Sequence, residues 1–254
     1  LRVYLMTDME GVSGVTNFED FIKPEGRYYE RGRQLTTGEV SAAVEGALNA
    51  GATDVLVVDG HGAGAIDPLL LHPAARLLTR GRYPFGLDLG FDCAGIIGQH
   101  AKASTPDGHL CHTQTLEWLD CTINGVSVGE MGEMMLLAAE YDVPTVALSG
   151  DAAACREAQA LVPGIATAAV KQGLSRSAAI HLHPQVAQGL IRDAVQQGIA
   201  CRAEMPLFRL APPFEMVVTW QTGSDGPVKR GRKTAGAILE VLTKPYDQIE
   251  EVPQ

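Results

Sequence analysis

Val3-Tyr4-Leu5-Met6-Thr7-Asp8-Met9-Glu10 passes from an apolar run into a pair of carboxylates, and two later stretches follow the same course. They are Asp54-Val55-Leu56-Val57-Val58-Asp59-Gly60-His61 and Ala94-Gly95-Ile96-Ile97-Gly98-Gln99-His100. Runs of this length and apolarity read as strands. Each ends in residue types that ligate metals: Asp8 with Glu10, then His61, then His100. In open α/β sheets, ligands bind in the crevice beyond the strand carboxyl ends. Two carboxylates and two imidazoles delivered to that crevice suit a divalent, zinc-like metal and the hydrolysis it catalyses.

Working outward, the first strand leads into a loop from Gly11 to about Leu35. Thr36 and Glu39 have capping-box spacing, which predicts a helix from there through Ala50, with Gly51 as its stop. The second strand then completes a βαβ unit. Asn124-Gly125 lies between Cys121-Thr122-Ile123 and Val126-Ser127-Val128, the pattern of a two-residue hairpin. A helix is expected near Gly129, a strand over Val143–Leu148, a short strand over Ile165–Val170 and a helix over Pro184–Gln197. Pro206–Pro213 reads as a linker. Phe214–Trp220 alternates, as a strand in another sheet or at an edge does. The expected class is α/β, a three-layer αβα core with a mostly parallel sheet plus a smaller α+β portion. Residues 1–200 would form the metal-binding core and residues 201–254 the smaller segment. The hairpin near 116–128 is a candidate to pack with the latter.

The chain has 254 residues, 46% of them hydrophobic, and a net charge of −10, which argues against nucleic acid as a partner. The basic run Lys229-Arg230-Gly231-Arg232-Lys233 reads as a solvated loop. Five widely spaced cysteines without a CxxC pair indicate reduced, mostly buried thiols. No secretory signal and no apolar span of roughly 18 residues appears, so no membrane partner and a cytoplasmic location are expected.

Among individual residues, Asp8 and Glu10 are two apart, so on a strand both would point to one side and repel unless a cation neutralises them. Asp59 would ligate metal or orient His61. His100, His109 and His112 form a dense group in which one would bind metal and another would move protons. Lys102 is either a holder of a substrate carboxylate or a surface lysine. Cys111 beside His112 is a poor thiol-protease pair, because adjacency rarely gives the required geometry. Glu130 and Glu133 compete at the start of the predicted helix, where the dipole favours a carboxylate in any case. His72, His181 and His183 lack a supporting pattern and read as structural or surface residues.

Several segments together resemble the zinc-dependent D-aminopeptidase family, peptidase family M55. They are Asp8-Met9-Glu10-Gly11-Val12-Ser13-Gly14, Tyr29-Glu30-Arg31-Gly32-Arg33, Asp59-Gly60-His61, Gly98 through Pro106, Asn124-Gly125 with Val128-Gly129-Glu130-Met131-Gly132, Tyr141-Asp142-Val143-Pro144, and Ala168 through Gln172 with Ser175-Arg176-Ser177-Ala178. They run in order over roughly residues 1 to 180. The resemblance implies two zinc ions per subunit bound by Asp8, Glu10, His61, His100 and Glu130, with Asp8 bridging. It selects Glu130 over Glu133, because the family pattern is Gly-Glu-x-Gly. It aligns His112 with the family's catalytic histidine. One extra residue in the preceding segment keeps His109 as a rival. The segment after Phe214 is shorter than in family members, which form ring-like homo-oligomers, a decamer among the forms expected here.

The function expected is a binuclear zinc aminopeptidase that removes an N-terminal residue, a D-amino acid by resemblance, from short peptides. Metal-activated water would attack and His112 would assist. The family names that histidine a nucleophile, whereas its chemistry suits proton transfer. The alternatives are another bimetallic amide or phosphoester hydrolase, or a non-catalytic peptide-binding protein linked to import. No residue is assigned to substrate binding from the sequence.

Overall fold

The computed structural model describes residues 1–246 and the backbone of residues 248–252. In chain order the strands are β1 (Arg2–Thr7), β2 (Asp54–Asp59), β3 (Ala75–Leu78), β4 (Cys93–Gln99), β5 (Trp118–Ile123) and β6 (Val126–Ser127). They continue with β7 (Thr145–Asp151), β8 (Ala166–Ser175), β9 (Ala178–His181), β10 (Phe214–Gln221), β11 (Val228–Ala235) and β12 (Gln248–Val252). The α-helices are α1 (Tyr29–Asn49), α2 (Glu130–Glu140), α3 (Ala152–Leu161), α4 (Pro184–Ala200) and α5 (Ile238–Thr243).

One sheet has the order β3-β2-β1-β4-β7-β8-β9. Its neighbours run parallel except β8 and β9, which form an antiparallel edge. The central strands are buried on both faces, so their Val, Leu and Ile side chains serve two cores at once. On one side Val3, Leu5, Val55, Val57 and Ile97 meet Val40 and Val44 of α1 and Ile191 and Val195 of α4. On the other, Tyr4, Met6, Leu56 and Ile96 meet Met131 and Met135 of α2 and Ala154 and Ala158 of α3. This is an αβα sandwich around a mostly parallel sheet, as the apolar runs implied.

A second, antiparallel sheet has the order β12-β11-β10-β5-β6. Its apolar face (Cys121, Ile123, Phe214, Met216, Val218) joins the core on the α2 side. The hairpin at Asn124-Gly125 is present, with φ of 49° and 78°, the left-handed pair a two-residue turn needs. Phe214–Trp220 lies in this second sheet, between β5 and β11.

Four local expectations need correction. The first helix begins at Tyr29, not near Thr36. Thr36 Oγ1 donates back to Gly32 O at 2.9 Å, as a mid-helix threonine does, and Glu39 is drawn away to the Ser13 N–H at 2.9 Å. No side chain caps the real start at Tyr28, so nothing local announces it. The basic run 229–233 is strand β11, not a loop. Its pleat exposes Arg230 and Arg232 and buries Gly231 and Lys233, so the charges sit mainly on the outer face. Strand β3 lies within a stretch read as connection, and the hairpin partner β9 follows a β8 that extends to Ser175.

Candidate metal centre

Three parallel strands, β2, β1 and β4, lie side by side and end at one edge of the first sheet. Beyond that edge the chain after β1 crosses the end of β4 in close backbone contact. Asp8 N–H donates to Ile97 O and Gly11 N–H to Gly98 O, both at 2.8 Å. At Gly98, with φ of 79°, an added Cβ would stand 2.2 Å from Asp8 O, so only glycine permits this approach. The crossing brings Asp8 and Glu10 onto His100.

Asp8, Glu10 and His100 are buried, and the His61 side chain is nearly so. His100 Nε2 lies 3.3 Å from Asp8 Oδ2 and 3.6 Å from Glu130 Oε1. His61 Nε2 lies 3.5 Å from Glu10 Oε1, and His112 Nε2 lies 3.7 Å from Glu130 Oε1. Glu130 stands at the first turn of α2, whose entry Gly129 donates its N–H to Glu157 Oε1 at 3.0 Å. Two donor groups have the compactness of metal sites: Asp8, Glu10 and His100, and then His100, His112 and Glu130.

The imidazoles are pre-set. His100 Nδ1 faces Ala101 O and His112 Nδ1 faces Leu110 O, each at 2.9 Å. A carbonyl only accepts, so Nδ1 carries a proton in both rings, and Nε2 is the atom each ring turns to the cluster, protonated among bare carboxylates and a lone-pair donor toward a metal. The rings stack 4.0 Å apart and 15° from parallel, and Phe18 packs edge-on against His112. Asp8 Oδ1 accepts from Met9 N–H at 2.9 Å, and Gln99 Nε2 donates to Asp8 Oδ2 at 3.3 Å.

The electrostatics are those of an uncompensated acidic cluster. Burial, reinforced by Glu10, pushes the Asp8 carboxyl well above its ordinary range. Burial opposes ionisation of Glu10 as well, but the hydrogen bond and charge of His61 outweigh it and hold Glu10 well below the usual range. His61 rises to about 9, because Glu10 outweighs the burial that would lower it. His100 rises well above its ordinary value as Glu130 and Asp8 overcome its burial. His112 goes the other way: burial and the neighbouring His100 lower it, so it is neutral near pH 7. Protons on His61 and His100 thus do what a divalent cation would do better. Glu10 Oε2, His61 Nδ1 and His100 Nε2 are buried without a hydrogen-bond partner, which is what ligand atoms awaiting a metal look like. The residues fit a metal centre.

Each residue singled out in the sequence has a definite place. Asp8, Glu10, His61, His100, Glu130 and His112 come together. His109 does not: its ring faces His181, and burial with Lys171 nearby lowers it to about 3. Glu133 borders the cluster through Gln114 and is pushed up to about 7 by burial and Glu130. Among the described residues, Asp59 and His61 share no hydrogen bond. The Asp59 carboxylate accepts from Ala65 and Ile66 N–H and holds the glycine loop 60–64 in shape. Lys102 turns to Ser127, and the Cys111 thiol is raised by burial and faces Thr105 O. His72, His181 and His183 each accept a backbone N–H through Nδ1, as structural histidines do. Two contributors had no assigned role in the sequence. Gln99 was visible just before His100. Gln114 N–H donates to Glu130 Oε1 at 2.7 Å and its Nε2 to Glu133 Oε2 at 2.9 Å, from a backbone with φ of 59° that no motif marks.

Residues 1–228 match the family model Peptidase M55, described as D-aminopeptidase. A D-aminopeptidase of Bacillus subtilis (strain 168) is 36% identical over 250 residues, covering 96% of this chain and 89% of that protein. The solved structure of the Zn-dependent D-aminopeptidase DppA from Bacillus subtilis, described as a self-compartmentalizing protease, superposes with a TM-score of 0.86. It is 28% identical in that superposition and covers 95% of this chain and 94% of that one.

Proposed function

This chain belongs to the peptidase M55 family, a metallo-hydrolase of the D-aminopeptidase kind, and we propose how its own residues perform that activity. Asp8, Glu10, His61, His100 and Glu130 would hold two zinc ions. The observation that carries this reading is the partnerless His100 Nε2, buried where Asp8 and Glu130 converge. A metal held by these residues would supply Lewis-acid polarisation of the scissile carbonyl and a water of lowered pKa.

The rest falls to the protein. His112 is neutral, with Nδ1 tied to Leu110 O, so its Nε2 takes a proton from the attacking water and returns it to the leaving amine. Gln114 anchors Glu130 from one side and Glu133 from the other. A cavity of about 140 Å³ lies against Asp8 and Glu130, with Met6, Gln99, Tyr83, Glu133 and Met134 around it. It suits one small side chain, and its carboxylates suit the α-ammonium of the residue to be released.

Residues 1–200 carry this centre in our reading, and the described part of residues 201–254, with the hairpin near 116–128, forms the smaller unit against α2. Assembly into a homo-oligomer is supported by the exposed Leu174, Ile180, Val186 and Leu190 along β8, β9 and α4, and by the self-compartmentalizing relative. Among the described residues no helix is long and apolar enough to cross a membrane. The deciding experiment measures amino-acid release from D-Ala and L-Ala peptides by zinc-loaded protein, before and after chelation. Chelator-sensitive release of the D-residue is expected. No turnover on any short peptide would sink the proposal.

A further inference from the structure

A second cavity, of about 860 Å³, opens beside His61. Its floor is the glycine loop 60–64, held from below by Asp59 and by the Tyr29 hydroxyl, which donates to Ala63 O at 3.1 Å. Arg33, Arg80 and Arg82 line it. Arg33 is committed: Nη2 donates to Ile66 O at 2.6 Å and Nη1 pairs with Glu30. Arg80 and Arg82 flank Gly81 in the loop after β3. Both are exposed, and among the described residues neither guanidinium has a hydrogen-bond or ion-pair partner.

Two free guanidiniums here are not explained by the metal cluster, since no contact links them to Asp8, Glu10 or Glu130. Nor does the overall charge of −10 favour them, for cations in an acidic chain readily find carboxylates. The smaller cavity shares Gly60 and Phe85 with this one as wall residues, and His61 lines the larger while Asp8 and Glu130 line the smaller, so both border the metal centre. The smaller is lined by Asp8, Glu130 and Glu133 and no cation, whereas the larger carries arginines. The donor set thus borders an acidic pocket on its Asp8 and Glu130 side and a basic one on its His61 side, a polarity that matches the two charged ends of a zwitterionic peptide.

We propose that the arginine-lined cavity is the subsite for the C-terminal carboxylate of the peptide, bound by Arg80 and Arg82. A guanidinium fork matches a carboxylate in bidentate fashion, which an ammonium cannot do. The ammonium end then lies in the small acidic pocket and the scissile bond at the metal centre. A free carboxylate within reach of this loop defines the substrate as a short peptide.

The inference rests on the aminopeptidase reading, and its test separates the two. Zinc-loaded wild type, Arg80→Ala/Arg82→Ala and Arg80→Lys/Arg82→Lys are compared on a D-Ala dipeptide and on its C-terminal amide. In wild type the free acid should be favoured, and the alanine pair should raise its KM by about 10- to 100-fold, the worth of a lost charge-assisted contact. The preference for acid over amide should collapse toward unity in that variant and return in part with the lysine pair. Equal losses on acid and amide, an unchanged preference, or a changed oligomeric state in the alanine pair would each overturn the subsite. Should wild type cleave nothing, the aminopeptidase reading fails. Calorimetry with N-acetyl-D-Ala-D-Ala then still reads the subsite: binding lost in the alanine pair supports it, and equal binding of the amide refutes it.

Discussion

Two buried polar clusters lie against the segment Met9–Thr16, and they are neutralised in opposite ways. On one side of it, the rear, gather Glu39, Asp151, Lys171, His109 and His181, with the segment's own Ser13. On the other, the front, gather Asp8, His61, His100, His112 and Glu130, with the segment's own Glu10. In the rear cluster the chain supplies its own cation. Lys171 Nζ donates to Glu10 O and to Val15 O, and Asp151 and Glu39 act to keep it charged against burial that lowers it to about 8. Asp151 accepts the N–H groups of His109 and Gly173 at 2.7 and 3.0 Å, so its charge is spent on the backbone. In the front cluster, among the described residues, no lysine or arginine side chain pairs with the carboxylates, and only imidazoles, which can give up their protons to a metal, stand against them. Residue types are nearly the same in both. A cluster that closes on its own lysine holds a loop, and one left anionic holds a metal.

The sharpest way to break this comparison is to remove the shared anion. Asp8→Ala should lose zinc, read by elemental analysis, and its peptidase activity should fall to background. Retained zinc would mean that Asp8 is not part of the donor set. Next, His112→Ala should cost at least ~100-fold in kcat, the scale of an acid–base group, while zinc content stays near wild type. Loss of zinc would instead make His112 a ligand, as its 3.7 Å approach to Glu130 allows. His109→Gln, three positions away but in the rear cluster, should leave turnover and zinc content near wild type.

Lys171→Met tests the rear cluster itself. It strands the carbonyls of Glu10 and Val15 and leaves Asp151 without its cation. Breaking a buried charge network this way costs about 3–5 kcal/mol, measurable by chemical denaturation. Zinc affinity should weaken as well, since Lys171 holds the backbone that carries Glu10. The last test concerns pH. Burial pushes Glu39 up to about 8 from its ordinary 4.5, so between those values the folded chain keeps a proton that the unfolded chain has released. Stability from this group is then lost as pH rises through that window. Wild type should therefore lose melting temperature more steeply than Glu39→Gln between about pH 5 and pH 8. Parallel curves would show that Glu39 is ionised in the fold.

Much of this could be read from the chain. The apolar runs ending in Asp8 and Glu10, His61 and His100 are local features, and strand position and ligand chemistry follow from them. Asn124-Gly125 announced its hairpin because the turn's left-handed backbone demands those residue types. The start of α1 at Tyr29 could not be read, because no cap marks it. Its anchor, the Tyr29 hydroxyl on Ala63 O, comes from a residue 34 positions away. Lys233 looked like part of a solvated run because only its partners in β10 reveal that it faces inward. Gln114 gave no signal, since its task is to join two carboxylates that only the docking of α2 brings near.

The amino-acid sequence by itself determined that apolar strands would deliver carboxylates and imidazoles to one crevice, because hydrophobic patterning and donor chemistry belong to each residue. Only the tertiary structure decided which histidine faces Glu130, which lysine is spent behind the loop, and which side of the centre is basic. Those outcomes depend on contacts between residues far apart in the chain. His109 and His112 show the difference most plainly: three residues apart and alike in sequence, they are turned by the fold toward opposite clusters.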